Sequence, residues 1–276
     1  MIKILRKTKN DMINENQPTK YFLIAFGEIV LVVIGILIAL QVNNWQIERT
    51  NAKQEINILL QLKKEYADNL KEIEQKIQLR HAINTSIYTL INYSDEGVDG
   101  VSIDSIAKHV TRTRYNPTFD GPTGVTNDLL SSGKLYLLQN TELRNLLTNW
   151  SGTTQKVIEE EQFLVNHILP KYIDYIGRNY DARKMMAAPS DQDLYVGNML
   201  INGEQPIKVD SSVIKGQTDV AEYSRFINDM IISNYQIELF NKHALANDQS
   251  YGLKAEIQKI LALIQDGINI NRMQNY

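Results

Sequence analysis

From Tyr21 to Val42 the chain is apolar except for Glu28 and Gln41. At about 1.5 Å of rise per residue, a helix of that length crosses the roughly 30 Å hydrocarbon layer of a bilayer. The run therefore predicts a transmembrane helix over residues 21–42, with residues 1–20 on one side and 43–276 on the other. The competing reading is a cleaved signal peptide. Against it, the run is long, no small-x-small site follows Ala39, and the chain passes directly into a further helical pattern. An uncleaved single-span anchor is the expectation.

The flanks predict the orientation. Lys3, Arg6, Lys7, Lys9 and Lys20 oppose only Asp11 and Glu15, which leaves +3 on the first twenty residues. With −3 on the whole chain, the remainder carries −6. Just beyond the span, Arg49 and Lys53 are matched by Glu48 and Glu55. The positive end stays in the cytoplasm, and Trp45 takes the place of an interfacial anchor. In a bacterial inner membrane this puts the bulk of the chain in the periplasm.

Glu28 lies on the order of 10 Å below the inner boundary of the span. At 100° per residue, Tyr21, Glu28, Gly35 and Ala39 fall within about 40° of one another. Gly35 and Ala39 make a small-xxx-small pair, which lets two membrane helices approach closely. Glu28, Gly35 and Ala39 thus form a candidate helix-packing stripe. The alternative is that Glu28 reaches back to the headgroups or carries a proton.

Beyond Trp45 the apolar residues recur at helical spacing: Leu59, Leu62, Tyr66, Leu70, Ile73 and Ile77, then Ile83, Ile87 and Leu90. One helix should run to about Tyr93, where "SDEGVDGVSIDS" stops it. Asp104 or Ser105 can cap a short helix ending near Arg112. Pro117, Gly121, Pro122 and Gly124 then punctuate a long loop that leads into a short helix over Asn127 to Ser131 and a turn at Ser132 and Gly133. Thr141 and Glu142 open a helix through Leu143, Leu146, Leu147, Trp150, Val157 and Ile168, which Pro170 should bend. Residues 178–217 read as a polar excursion with short strands or turns at most. Thr218 and Asp219 cap a final helical region whose stripe includes Val220, Tyr223, Phe226, Ile227, Met230 and Ile231, and later Leu253, Ile257, Ile260 and Ile264. The fold class is mainly α: a transmembrane helix followed by an extracytoplasmic antiparallel bundle of long helices.

Several chemistries are excluded or unsupported. Without cysteine there is no disulfide, thiolate nucleophile, thiolate zinc site or lipidated cysteine. The mildly acidic balance gives no footprint for nucleic acid. His81, His109, His167 and His243 sit on different predicted helices, without metal-ligand spacing, and read as polar surface residues. The turn from Asp95 to Asp104 lacks the calcium-loop glutamate, since Ile106 stands at the twelfth place. Glu159, Glu160 and Glu161 read as an exposed helix face. No phosphate loop, nucleophile elbow or HExxH pattern occurs, so no catalytic, cofactor or metal residues are assigned and an enzyme is not expected. The remaining candidate is the loop from Arg112 to Gly133. Its Arg112, Arg114, Tyr115, Asn116, Thr118, Asp120, Thr123 and Asn127 offer polar groups beside aromatic area, as a partner- or ligand-binding loop does. Alternatively, they satisfy the loop's own backbone.

The basic opening segment, the span "GEIVLVVIGILIALQVNNW" and the later "LLSSGKLYLLQNTELRNLLTNW" resemble a family of single-span bacterial envelope proteins of unknown function. The resemblance implies a membrane-anchored helical protein and supplies no activity, cofactor or catalytic residue. The expected role is binding or scaffolding through protein contacts in the envelope, with itself or another envelope protein. The alternative is an extracytoplasmic ligand sensor that signals through a partner.

Overall fold

The structure is a computed structural model that describes residues 18–181, 184–185 and 219–274. The predicted basic segment up to residue 17, the Thr218 cap and most of the 178–217 excursion lie outside the described residues. Those described are overwhelmingly helical and include no strand. Helix α1 runs from Pro18 to Glu96, three residues beyond the expected stop. The chain divides into two units after Ile58. In the first unit the apolar face of α1 is unburied, and this part is long and apolar enough to cross a membrane.

From Leu59 onward, the rest of α1 packs with α2 (Ile103–Arg112), α3 (Gly124–Ser131), α4 (Thr141–Phe163), α5 (Leu169–Asn179), α6 (Val220–Ile227) and α7 (Met230–Gln274). The predicted stripe of α1 is buried at Leu59, Leu62, Tyr66, Ile73, Ile77, Ile83, Ile87 and Leu90. It meets Leu143, Leu147, Trp150 and Val157 of α4 and Leu253, Ile257, Ile260 and Ile264 of α7 in the core. Burying each such side chain contributes about 1.5–3 kcal/mol, so this interior carries the bundle. Tyr66 and Trp150 meet edge to face at 4.8 Å.

Local chemistry sets the boundaries. The Ser102 hydroxyl accepts from the Ser105 N–H and caps α2, so the cap lies two residues before the expected Asp104. Asn140 caps α4 through the Leu143 N–H. Gly133, at φ 69°, makes the predicted turn after α3. Pro170 interrupts the ladder as expected, in a specific way. It has no N–H to give and its ring crowds the preceding turn, so the helix widens into a π-turn over Leu164–Ile168 before α5 begins.

The final helical region is two helices rather than one. The Asp229 carboxylate accepts the Ile231 N–H at 2.7 Å and starts α7 afresh, turning the chain at Asn228. Met230 and Ile231 consequently sit exposed, and Ile232, Leu239, Ala246, Leu253 and Ile260 form the buried seam at seven-residue spacing.

Candidate partner-binding loop and its clamp

Beyond α2 the chain is anchored by Thr113, whose hydroxyl donates to the Val110 carbonyl and meets the Tyr172 hydroxyl at 2.7 Å. The Arg114 and Tyr115 N–H groups still bond the Thr111 and Arg112 carbonyls, but from Asn116 to α3 the chain lies outside any helix and its buried N–H groups need acceptors. Three glutamates supply them. Glu161 of α4 accepts the Phe119 N–H at 2.8 Å, and Glu72 of α1 accepts the Asp120 N–H at 2.9 Å. Glu65 of α1 accepts the Val125 N–H at 2.6 Å, the Thr126 N–H at 3.0 Å and the Thr126 hydroxyl. The N-cap of α3, Thr123, makes no side-chain cap bond, so Glu65 performs that duty from another helix, with its charge at the positive end of α3.

Asn69 adds a fourth tie by donating to the Pro122 carbonyl at 2.7 Å. Gly121 lies flush against it: an added Cβ would stand 1.9 Å from Asn69 Oδ1 and 2.5 Å from the Phe119 ring. Only glycine fits this approach.

Glu161 also reaches inward. Its other oxygen bonds Arg80, whose Nη1 donates to Asn247 at 3.2 Å and Ser250 at 2.8 Å on α7. Arg80 and Glu161 are both essentially inaccessible to water. Burial pushes the Glu161 carboxyl up and the Arg80 guanidinium down, and each is opposed by the other's charge. Beside them, His243 is fully buried with both ring nitrogens unpartnered, and burial, then the Arg80 charge, pushes it down to about 3. A polar layer thus crosses the bundle behind the loop.

This corrects two expectations. Glu161 is core rather than exposed face, because three consecutive helix positions sweep about 200° and one of them must turn inward. Glu159 is exposed, and Glu160 pairs with Lys242 at 3.1 Å. His243 is likewise interior. The other histidines fall on separate helical segments: His81 exposed, His109 bonded to Ser86 at 3.1 Å, and His167 tilted against the Phe163 ring at 5.0 Å.

The candidate loop residues divide between two faces. Tyr115 packs against the core, and Asn116 donates to the Glu161 carbonyl at 3.3 Å. Arg112 and Thr123 are half-buried. Arg114, Thr118, Asp120 and Asn127 are exposed, with the Asn127 amide held by the Thr123 hydroxyl at 3.1 Å. In the span, Glu28, Gly35 and Ala39 are exposed, and a Cβ at Gly35 would meet nothing within 4 Å. Of the clamp residues, Glu65, Glu72 and Arg80 were not singled out from sequence, and Glu161 was read as exposed. The available signal was spacing: Gln236, His243 and Ser250 keep the seven-residue phase of Ile257 and Ile264, which marks them as seam positions despite their polarity.

A second concavity, an open cleft of about 450 Å³, lies between α5 and the α6–α7 corner. Its polar groups are engaged with one another. Asp229 accepts from the Tyr175 and Tyr180 hydroxyls at 2.9 and 2.5 Å, and Arg225 stacks over Tyr180 at 4.6 Å while donating to the Asn179 carbonyl and to Glu222. The arrangement is a bracket that joins α5 to α6 and α7.

Residues 28–163 match the model of a family of unknown function (DUF6090). The matched segment contains the apolar part of α1 from Glu28, the clamp and the loop, and it ends where the π-turn begins. Comparison with curated proteins and with solved structures finds no match.

Proposed function

We propose that the protein is a single-span protein of the bacterial inner membrane, with its N-terminus in the cytoplasm and its helical bundle in the periplasm. It acts as a binding or scaffolding protein through the outer face of the 112–133 loop. The observation that carries this reading is the clamp: three glutamates of the bundle satisfy the loop's inward N–H groups, which leaves Arg114, Thr118, Asp120 and Asn127 presented to solvent on a fixed backbone. Preorganised loops on rigid scaffolds bind without the entropy cost of ordering. The matched segment takes in the span from Glu28 onward, the three clamp glutamates and the loop, which supports treating them as one working part.

The span contributes through Glu28, Gly35 and Ala39, which offer a close-packing face to a second membrane helix of this protein or another. The absence of a basic footprint argues against nucleic acid, and no catalytic, cofactor or metal role is assigned.

Photo-crosslinkers placed at Arg114 and Asn127 in intact cells test the loop. A defined protein adduct that is lost in Arg114→Ala supports the reading, and crosslinks to nothing but water-quenched product overturn it. Topology reporters after Asn51 and at the C-terminus test the orientation, and cytoplasmic activity of both would reverse it. For the span, Glu28→Leu with Gly35→Ile should alter the oligomeric size or co-purification in mild detergent.

A further inference from the structure

The bracket between α5 and the α6–α7 corner spends only part of its polar capacity on itself. Asp229 is fully used: one carboxylate oxygen accepts the Tyr175 and Tyr180 hydroxyls at 2.9 and 2.5 Å, and the other accepts the Ile231 and Ile232 N–H groups at 2.7 and 3.4 Å. A phenol has a single proton to give, so both tyrosines keep their oxygen lone pairs as acceptors. Asn179 and Asn228 are exposed and donate through Nδ2 to the Tyr175 and Ser224 carbonyls at 2.8 and 2.9 Å. Arg225 donates to the Asn179 carbonyl and to Glu222 through Nη2. The two asparagine Oδ1 atoms and the Arg225 Nη1 and Nε donors are left over among the described residues. All of these side chains line one open cleft of about 450 Å³, within the roughly 300–1,000 Å³ of small-molecule sites.

Charge narrows the choice of ligand. Arg225 is paired with Glu222 at 2.8 Å and Asp229 adds a second negative charge, so the cleft has no positive excess to draw a phosphate or a carboxylate. A cation finds no open carboxylate either, since the Asp229 oxygens are filled and Glu222 is tied to Arg225 and to the Asp181 N–H at 3.0 Å. What remains is a set of planar donors and acceptors beside an aromatic ring. A hydroxyl both donates and accepts, so a polyhydroxylated ring matches that set. Tyr175, half-buried and braced by Tyr235 at 6.3 Å, offers ring surface to the C–H face of such a ligand.

We propose that this cleft is a second binding site, for a neutral mono- or disaccharide: Arg225 donates to the sugar oxygens, the Asn179 and Asn228 Oδ1 atoms accept from its hydroxyls, and the Tyr175 ring covers its apolar face. The bracket holds these groups in place beforehand, with the Arg225 guanidinium fixed over Tyr180 at 4.6 Å, so little order is lost on binding. The site goes beyond the loop reading. None of its residues lies between 112 and 133, and α5, α6 and α7 all lie past residue 163, where the family match ends.

Saturation-transfer difference NMR on the purified full-length chain in lipid nanodiscs, with empty nanodiscs subtracted, tests this. The probes are glucose, galactose, mannose, N-acetylglucosamine, maltose, cellobiose and chitobiose. Transfer to the C–H protons of at least one of them is expected. Tyr175→Ala should abolish it. Asn228→Ala should weaken binding by about three- to tenfold, the worth of one hydrogen bond, with the circular dichroism spectrum unchanged because the Ser224 carbonyl keeps the Asn228 N–H. Asn127→Ala, on the loop, should leave the titration as it is. Absence of transfer to every probe, binding that persists undiminished in either cleft variant, or tighter binding of tetramethylammonium or glycerol phosphate than of any sugar overturns the proposal. Crosslinking at Arg114 reports on the loop alone, so either site can fail while the other stands.

Discussion

The two halves of the α7 seam occupy equivalent positions and do different work. Gln236, His243 and Ser250 lie in phase with Ile257 and Ile264, and all five are buried. The apolar half packs against Leu59, Leu62, Leu143 and Leu147 in the manner of any helical bundle. The polar half lies behind the loop: Ser250 and Asn247 hold Arg80, Arg80 holds Glu161, and Glu161 holds the Phe119 N–H. Hydrophobic burial is non-directional, so it can hold helices together but cannot fix where a loop backbone lies. The polar layer gives up apolar burial to position that backbone.

Four perturbations break or sharpen the contrast. The largest is Arg80→Met, which leaves Glu161 buried without its cation and should cost about 3–5 kcal/mol in denaturant unfolding followed by circular dichroism. Adding Glu161→Leu should restore most of that stability while the loop loses amide protection, separating stability from positioning. Next, Ile260→Ala in the apolar seam should cost about 2–4 kcal/mol through the cavity it leaves, with protection of the loop amides relative to the global transition unchanged.

The third is a pH dependence. His243 is held neutral, with its value lowered from 6.5 to about 3, so the unfolded chain binds the proton first as acid is added. Its contribution is complete above pH 6.5 and falls by ~1.4 kcal/mol per unit below it, until about pH 3. His243→Leu should remove this slope from the unfolding free energy. The smallest is Gly121→Ala, whose Cβ collides with Asn69: about 1–2 kcal/mol, with the damage confined to exchange in residues 116–126.

Much of the helical layout was readable from apolar spacing. The α1 stripe from Leu59 to Leu90, the α2 terminus at Arg112, the turn at Gly133 and the start of α4 at Thr141 all follow from periodicity and local capping chemistry. The clamp was not readable in that way. Glu65, Glu72, Asn69 and Arg80 look like the solvated face of an amphipathic helix, because a glutamate that accepts a backbone N–H has the same letter as one that faces water. Their partners lie roughly 50 to 80 residues away in sequence, and no local pattern encodes such pairs. The α6–α7 break was missed for the same reason. Asp229 reads as one more polar position until its carboxylate is seen capping α7.

The capping of α3 by Glu65 also bears on the order in which the chain folds. A helix of eight residues is too short to persist alone in water, and this one takes its N-terminal acceptor from 60 residues upstream. Closing that separation costs entropy that α3 cannot recover by itself. The loop surface therefore takes shape only after α1 and α4 have docked, as one of the last elements to order, and a chain that displays it has already finished building its core.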